Sequence, residues 1–202
     1  MIKKVLLLLL GTIITAFGIA SILRCGLGAF SISLANKGIA NLLHTDIAVA
    51  NFITEGIMLL LAIYYKRGVG ITTICSMTIS GIFISIFEKI LPANPWLCIF
   101  FILCPIGWCL QAKAGLGNGS SNELMEALVE HTGKSITFIR FCIELVFLII
   151  AWLLLPDMIT IFSVIITFGT APAINFIYKL FKYNPTQVQH DYLISKKKKQ
   201  ST

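Results

Sequence analysis

Apolar residues in this chain gather into six long runs, at about 5–23, 47–65, 69–91, 96–112, 136–155 and 158–178. Runs of this length match the roughly 17–25 residues that a helix needs to cross a bilayer. They are broken at Lys66-Arg67-Gly68, at Leu91-Pro92-Ala93-Asn94-Pro95 and at Leu155-Pro156-Asp157, where proline, glycine and polar residues supply turn chemistry. Two further stretches, 29–44 and 120–131, are too polar and too short to span. Each predicts a short helix, either lying in the membrane interface or re-entering the bilayer as a half-helix. In the second stretch Ser120-Ser121-Asn122-Glu123 reads as a capping box. Its Glu123, Glu126 and Glu130 fall on one side, expected to be a solvated face.

The pattern occurs twice. Cys25-Gly26-Leu27-Gly28 returns as Ala114-Gly115-Leu116-Gly117, an offset of 115 − 26 = 89 residues. The same offset joins Gly18 to Gly107, Arg24 to Lys113, Ser31 to Ser120, Phe52 to Phe141 and Glu55 to Glu144. Further on it falls to 88, pairing Thr72 with Thr160 and Gly81 with Gly169. Duplication of a half-protein is a common origin of membrane transporters. The predicted organisation is a first repeat at 1–93, a second at 94–182 and a basic cytoplasmic tail at 183–202, expected to be a free, solvated extension. Residues 5–23 have a twin at 96–112, so this run is read as a retained span and not as a signal peptide.

Composition narrows the class. Of 202 residues 57% are hydrophobic and 12% charged, with mean hydropathy +0.89, which excludes an ordinary soluble domain. The net charge of +7 does not imply nucleic acid, because the basic residues sit at the ends of apolar runs. With the amino terminus in the cytoplasm, Lys3, Lys4, Lys66, Arg67, Lys113, Lys134, Lys179, Lys182 and Lys196 to Lys199 share one side; Arg24, Lys37 and Lys89 fall on the other. The positive-inside rule then predicts both termini in the cytoplasm. Three spans per repeat is an odd number, so the second copy must be inverted. The fold predicted is an all-α membrane protein of six transmembrane helices in two inverted three-helix repeats, each with a short helix after its first span.

The candidate chemistry sits in mid-span. Glu55 and Glu144 are repeat-equivalent carboxylates near the centres of their spans, where a charge costs about 2.5–3.5 kcal/mol on insertion scales. Symmetry would bring them toward one axis, where they could hold a proton or a cation with Asn51 and Arg140 beside them. The alternative is structural: Arg140 lies one turn before Glu144 and could neutralise it within the helix. The turn glycines Gly26, Gly28, Gly115 and Gly117, with Ser31 and Ser120, would place short-helix termini near the same cavity. The six cysteines lack metal-ligand spacing, and enzyme signatures are absent, so no metal, cofactor or catalytic residue is expected.

Arg24-Cys25-Gly26-Leu27-Gly28, its echo at Gly115-Leu116-Gly117 and Phe168-Gly169-Thr170-Ala171-Pro172 resemble the YczE/YyaS/YitT family of bacterial integral membrane proteins. Where that family commonly has Pro-Trp-Asp after the first Gly-Leu-Gly, this chain has Ala29-Phe30-Ser31. The resemblance implies a bacterial cytoplasmic-membrane protein and supplies no substrate. The expected function is a small-solute permease or exporter with a midplane site between the repeats. The expected partners are the lipid bilayer and a small solute with a proton or cation, together with a second copy or a protein partner, and no nucleic acid. The competing class is a non-transporting scaffold or accessory protein for another membrane or biosynthetic complex.

Overall fold

The computed structural model describes residues 2–117, 119–182 and 192–194. Its helices in chain order are α1 (Ile2–Arg24), α2 (Ser31–Leu42), α3 (Ile47–Tyr64), α4 (Ile71–Ile90), α5 (Pro95–Lys113), α6 (Ser120–Thr132), α7 (Ile136–Leu154) and α8 (Ile161–Leu180). A π turn over Ser76–Ser80 interrupts α4, and α5 begins as a 3-10 helix over Pro95–Ile102. Five helices, α1, α3, α4, α5 and α7, are long and apolar enough to cross a membrane among the described residues. The sixth expected span corresponds to α8 (Ile161–Leu180), in which Ile161–Thr170 is a continuous apolar stretch among the described residues. It starts later than the apolar run because Pro156–Met158 closes a separate 3-10 turn and Thr160 then caps the helix, its hydroxyl accepting from Ser163 N at 3.3 Å.

The first span packs on the fourth through glycines. Gly18 lies against Cys104 and Phe100, and Gly107 against Thr15 and Gly11, so α1 and α5 run antiparallel. The contact is reciprocal, since Thr15 and Cys104 are themselves 89 residues apart. A Cβ on Gly107 would stand 2.2 Å from Thr15 Oγ1 and 2.6 Å from the Gly11 carbonyl oxygen. Gly107→Ala is therefore expected to cost about 1–3 kcal/mol by overpacking. Gly169→Ala, whose added Cβ meets nothing within 4 Å among the described residues, is expected to leave stability unchanged or raise it. Thermal unfolding of the two purified variants checks the contrast, and equal midpoints would remove the packing argument.

The turns cross between the repeats in the same reciprocal way. Gly28 and Gly117 have φ of +118° and +95°, a region that side chains rarely adopt; Gly28 presses on Thr160 and Ser163 at the start of α8, and Gly117 on Gly70 at the start of α4. The Thr160 hydroxyl donates to the Leu27 carbonyl, and Thr72 N donates to the Leu116 carbonyl at 3.1 Å. Gly26 and Gly115 also have positive φ, reversing the chain after α1 and α5.

The short helices pack across the repeats too. Helix α2 begins with Ser31 beside Glu144, at the middle of α7, and reaches its C-terminal end, where Gly38 meets Leu154. Helix α6 begins with Ser120 beside Glu55, at the middle of α3, and runs parallel to it as far as Tyr65, whose ring meets His131. Ile22, Leu34, Ile47, Ile84, Ala151 and Ile166 join α1, α2, α3, α4, α7 and α8 in one buried apolar cluster. Apolar residues such as Leu60, Val146 and Ile165 point outward.

Three expectations need correction. Ser120 is the first helical residue of α6 and not its cap; Gly119 occupies that position, and its carbonyl accepts from Glu123 N at 3.0 Å. The Ser120 hydroxyl is engaged by Glu55 instead. The acidic side of α6 is not solvated throughout: Glu123 is fully buried, and Arg67 binds Glu123 (3.3 Å), Glu126 and Glu130 (2.8 Å). The tail is not wholly a free extension, because Tyr192–Ile194 pairs antiparallel with Val69–Gly70, taking those two residues out of the span expected from 69. The rest of that tail, including Lys196 to Lys199, lies outside the described residues.

Candidate functional site

A cavity of about 80 Å³ opens where the two short helices begin. Asn51 and Glu55 come from α3, Arg140 and Glu144 from α7, and all four line it. Ser33 and Asn36 of α2, Ser76 and Ser80 of the π turn, and Ser121 and Asn122 of α6 add polar groups, while Phe30, Trp108 and Ile84 supply apolar wall. The helical spacing of four residues puts each polar member on the same face of its helix as its glutamate.

The glutamates share one motif and differ in their neighbours. Ser31 Oγ donates to Glu144 Oε2, and Ser120 Oγ donates to Glu55 Oε2, so the first residue of each short helix binds the carboxylate of the other repeat. The helix N-termini favour negative charge at both places. Ser31 N and Ser120 N themselves donate to hydroxyls, Thr167 Oγ1 at 3.2 Å and Ser76 Oγ at 3.4 Å.

Beyond that motif the symmetry breaks. Arg140 Nη2 lies 2.8 Å from Glu144 Oε1, both residues are buried, and the guanidinium also reaches Asn122 Oδ1 at 3.4 Å. It stands 5.9 Å from the Trp108 ring centre, within cation–π reach. At the equivalent place in the first repeat is neutral Asn51, whose amide donates toward the carbonyls of Ser76 (3.3 Å) and Met77 (3.4 Å) and accepts from Asn36 Nδ2 at 3.2 Å. Glu55 is left with hydroxyls, those of Ser120 and Ser76, and among the described residues no ion pair reaches it. The π turn makes Ser76 and Met77 carbonyls available to Asn51, since a local i→i+5 pattern displaces the ordinary helical ladder.

Gly26, Gly28, Gly115 and Gly117 shape the approach to the short helices and do not line the cavity. Sequence reading missed Asn36, Ser76, Trp108 and Asn122 as site residues. Ser76, Thr78 and Ser80 form a polar patch inside an apolar run, which was the available signal for the π turn.

Long apolar helices enclosing a polar, charged centre define a multi-pass membrane protein. The chain belongs to a family of unknown function, DUF6198, whose model matches residues 2–179. No curated protein and no solved structure matches it.

Proposed function

We propose that the protein is a small-solute permease or exporter, built of two inverted three-helix repeats with its site between them. The observation that carries this reading is that both mid-span glutamates, from different repeats, line one polar cavity at which two short helices start. Antiparallel packing of α1 on α5 supports the inversion, and short helices starting beside span centres support re-entrant half-helices over interfacial ones. At roughly 10–15 Å³ per water position, the cavity holds about six waters, so the solute has few heavy atoms.

The charge bias supports a cytoplasmic position for both termini, and the three exceptions to that bias have local partners. Lys37 pairs with Glu88 at 2.7 Å, Lys89 with Asp46 at 2.9 Å, and Arg24 Nε donates to the Leu91 carbonyl at 2.9 Å. The resemblance to YczE/YyaS/YitT proteins agrees with a bacterial cytoplasmic membrane. Rocking of one repeat against the other would expose the site alternately, breaking on one face the Arg67–glutamate contacts that join the two repeats.

Proteoliposomes containing the full chain, screened by solid-supported-membrane currents and dye-reported flux with small amines, carboxylates and alkali ions, test the proposal. Saturable flux above that of empty vesicles is expected for one class. Absence of flux across the panel, with a membrane complex co-purifying in its place, would favour the accessory-protein reading.

A further inference from the structure

The two repeats differ at the position one turn before the mid-span glutamate, Asn51 against Arg140, and this difference unbalances the site. Three charged side chains line the cavity: the carboxylates of Glu55 and Glu144 and the guanidinium of Arg140. Arg140 is committed to Glu144 at 2.8 Å, and its repeat twin is Asn51, which brings no charge to Glu55. One negative charge therefore remains inside the bundle. The N-terminus of α6 offsets roughly half a unit of it. A buried residual charge is costly without a counterion.

The groups that hydrogen-bond to Glu55 are hydroxyls, with the Arg140 guanidinium acting on it from longer range. Ser120 Oγ contacts it, Ser76 Oγ lies 3.5 Å away, and Asn51, one turn back on the same face, is bound to Asn36. Asn36 is 4% exposed, lines the cavity and has a buried Oδ1 with no hydrogen-bond partner. A proton on Glu55 would balance the charge and leave that acceptor and the cavity volume unused. A small hard cation uses all three, because oxygen ligands from hydroxyl, amide and carboxylate groups suit it and the space admits water to complete its shell.

We propose that Glu55 anchors a site for one small monovalent metal cation, with Asn36 Oδ1, Ser76 Oγ and Ser120 Oγ as oxygen ligands. The proposal rests on the permease reading for its role as coupling ion, and it stands as a binding site without that role. Arg140–Glu144 is the repeat's internal substitute for the same ion: in the second repeat a fixed guanidinium takes the place that a mobile cation takes in the first.

The experiment measures thermal unfolding of the purified full-length protein at pH 8 in lithium, sodium, potassium or choline chloride at equal ionic strength. At least one alkali ion is expected to raise the midpoint over choline saturably, by about 3–6 °C at ten times its half-saturating concentration. Glu55→Gln is expected to lose that response. Ser120→Ala, which keeps the charge, is expected to retain it with a half-saturating concentration at least about fivefold higher. Identical wild-type midpoints in all four salts would overturn the proposal, as would an undiminished response in Glu55→Gln. A stabilisation seen only on acidification, and lost in Glu55→Gln, would also overturn it by showing the proton to be the sole counterion. Solute flux that proceeds undiminished in choline, with no alkali response, leaves the permease reading intact and removes this site; an alkali response with no flux does the reverse.

Discussion

Arg140→Ala is expected to be the most destabilising single change at the site, at about 3–5 kcal/mol, because it strands a buried carboxylate. Glu144 is 3% exposed, and its remaining partner would be the Ser31 hydroxyl, a single donor for a full charge. Two like charges would then line a cavity of about 80 Å³. The double variant Arg140→Met/Glu144→Met removes both ions together and is expected to recover most of the loss, since a buried pair often contributes little net stability against apolar residues of similar size. Unfolding midpoints of wild type, Arg140→Met, Glu144→Met and the double variant form a cycle that isolates the coupling. If Arg140→Ala unfolds at the wild-type temperature, the pair is not the structural unit described here.

The pairing of positions 89 residues apart was legible in the sequence because spacing is a one-dimensional property. Glycines at 18 and 107, serines at 31 and 120 and glutamates at 55 and 144 could be paired by subtraction. The Arg140–Glu144 contact was legible for the same reason, being set by the pitch of one helix. What spacing does not carry is which repeat a short helix packs against. Ser31 could have met Glu55 of its own repeat, and only the packing of α2 on α7 sends it to Glu144. Long-range pairing also hid the role of Arg67: a basic residue in a turn reads as a solvated orientation signal, and its pairing with three carboxylates depends on where α6 docks. The capping box failed because the chain had two uses for one hydroxyl. Ser120 fits the cap pattern, but a carboxylate of the other repeat engages it, while the Gly119 carbonyl receives the amide.

Glu55→Gln and Glu144→Gln are expected to separate, although the two positions are equivalent in the repeat. Glutamine at 55 keeps an acceptor for the Ser120 and Ser76 hydroxyls and removes a charge that has no fixed counter-ion among the described residues. Folding should therefore persist, while flux of the transported solute falls at least about thirtyfold, taking about 2 kcal/mol for the lost charged anchor. Glutamine at 144 leaves Arg140 buried without its partner, so the midpoint should fall before any flux measurement is meaningful. Any surviving protein would have Arg140 free to pair with Glu55, blocking the site from within. The paired measurement is flux in proteoliposomes together with the unfolding midpoint for each variant. The expected outcome is one stable, inactive protein and one unstable protein. Equal behaviour of the two variants in both measurements would mean that the change from Asn51 to Arg140 between repeats has no functional consequence, and the division of labour between the glutamates would have to be abandoned.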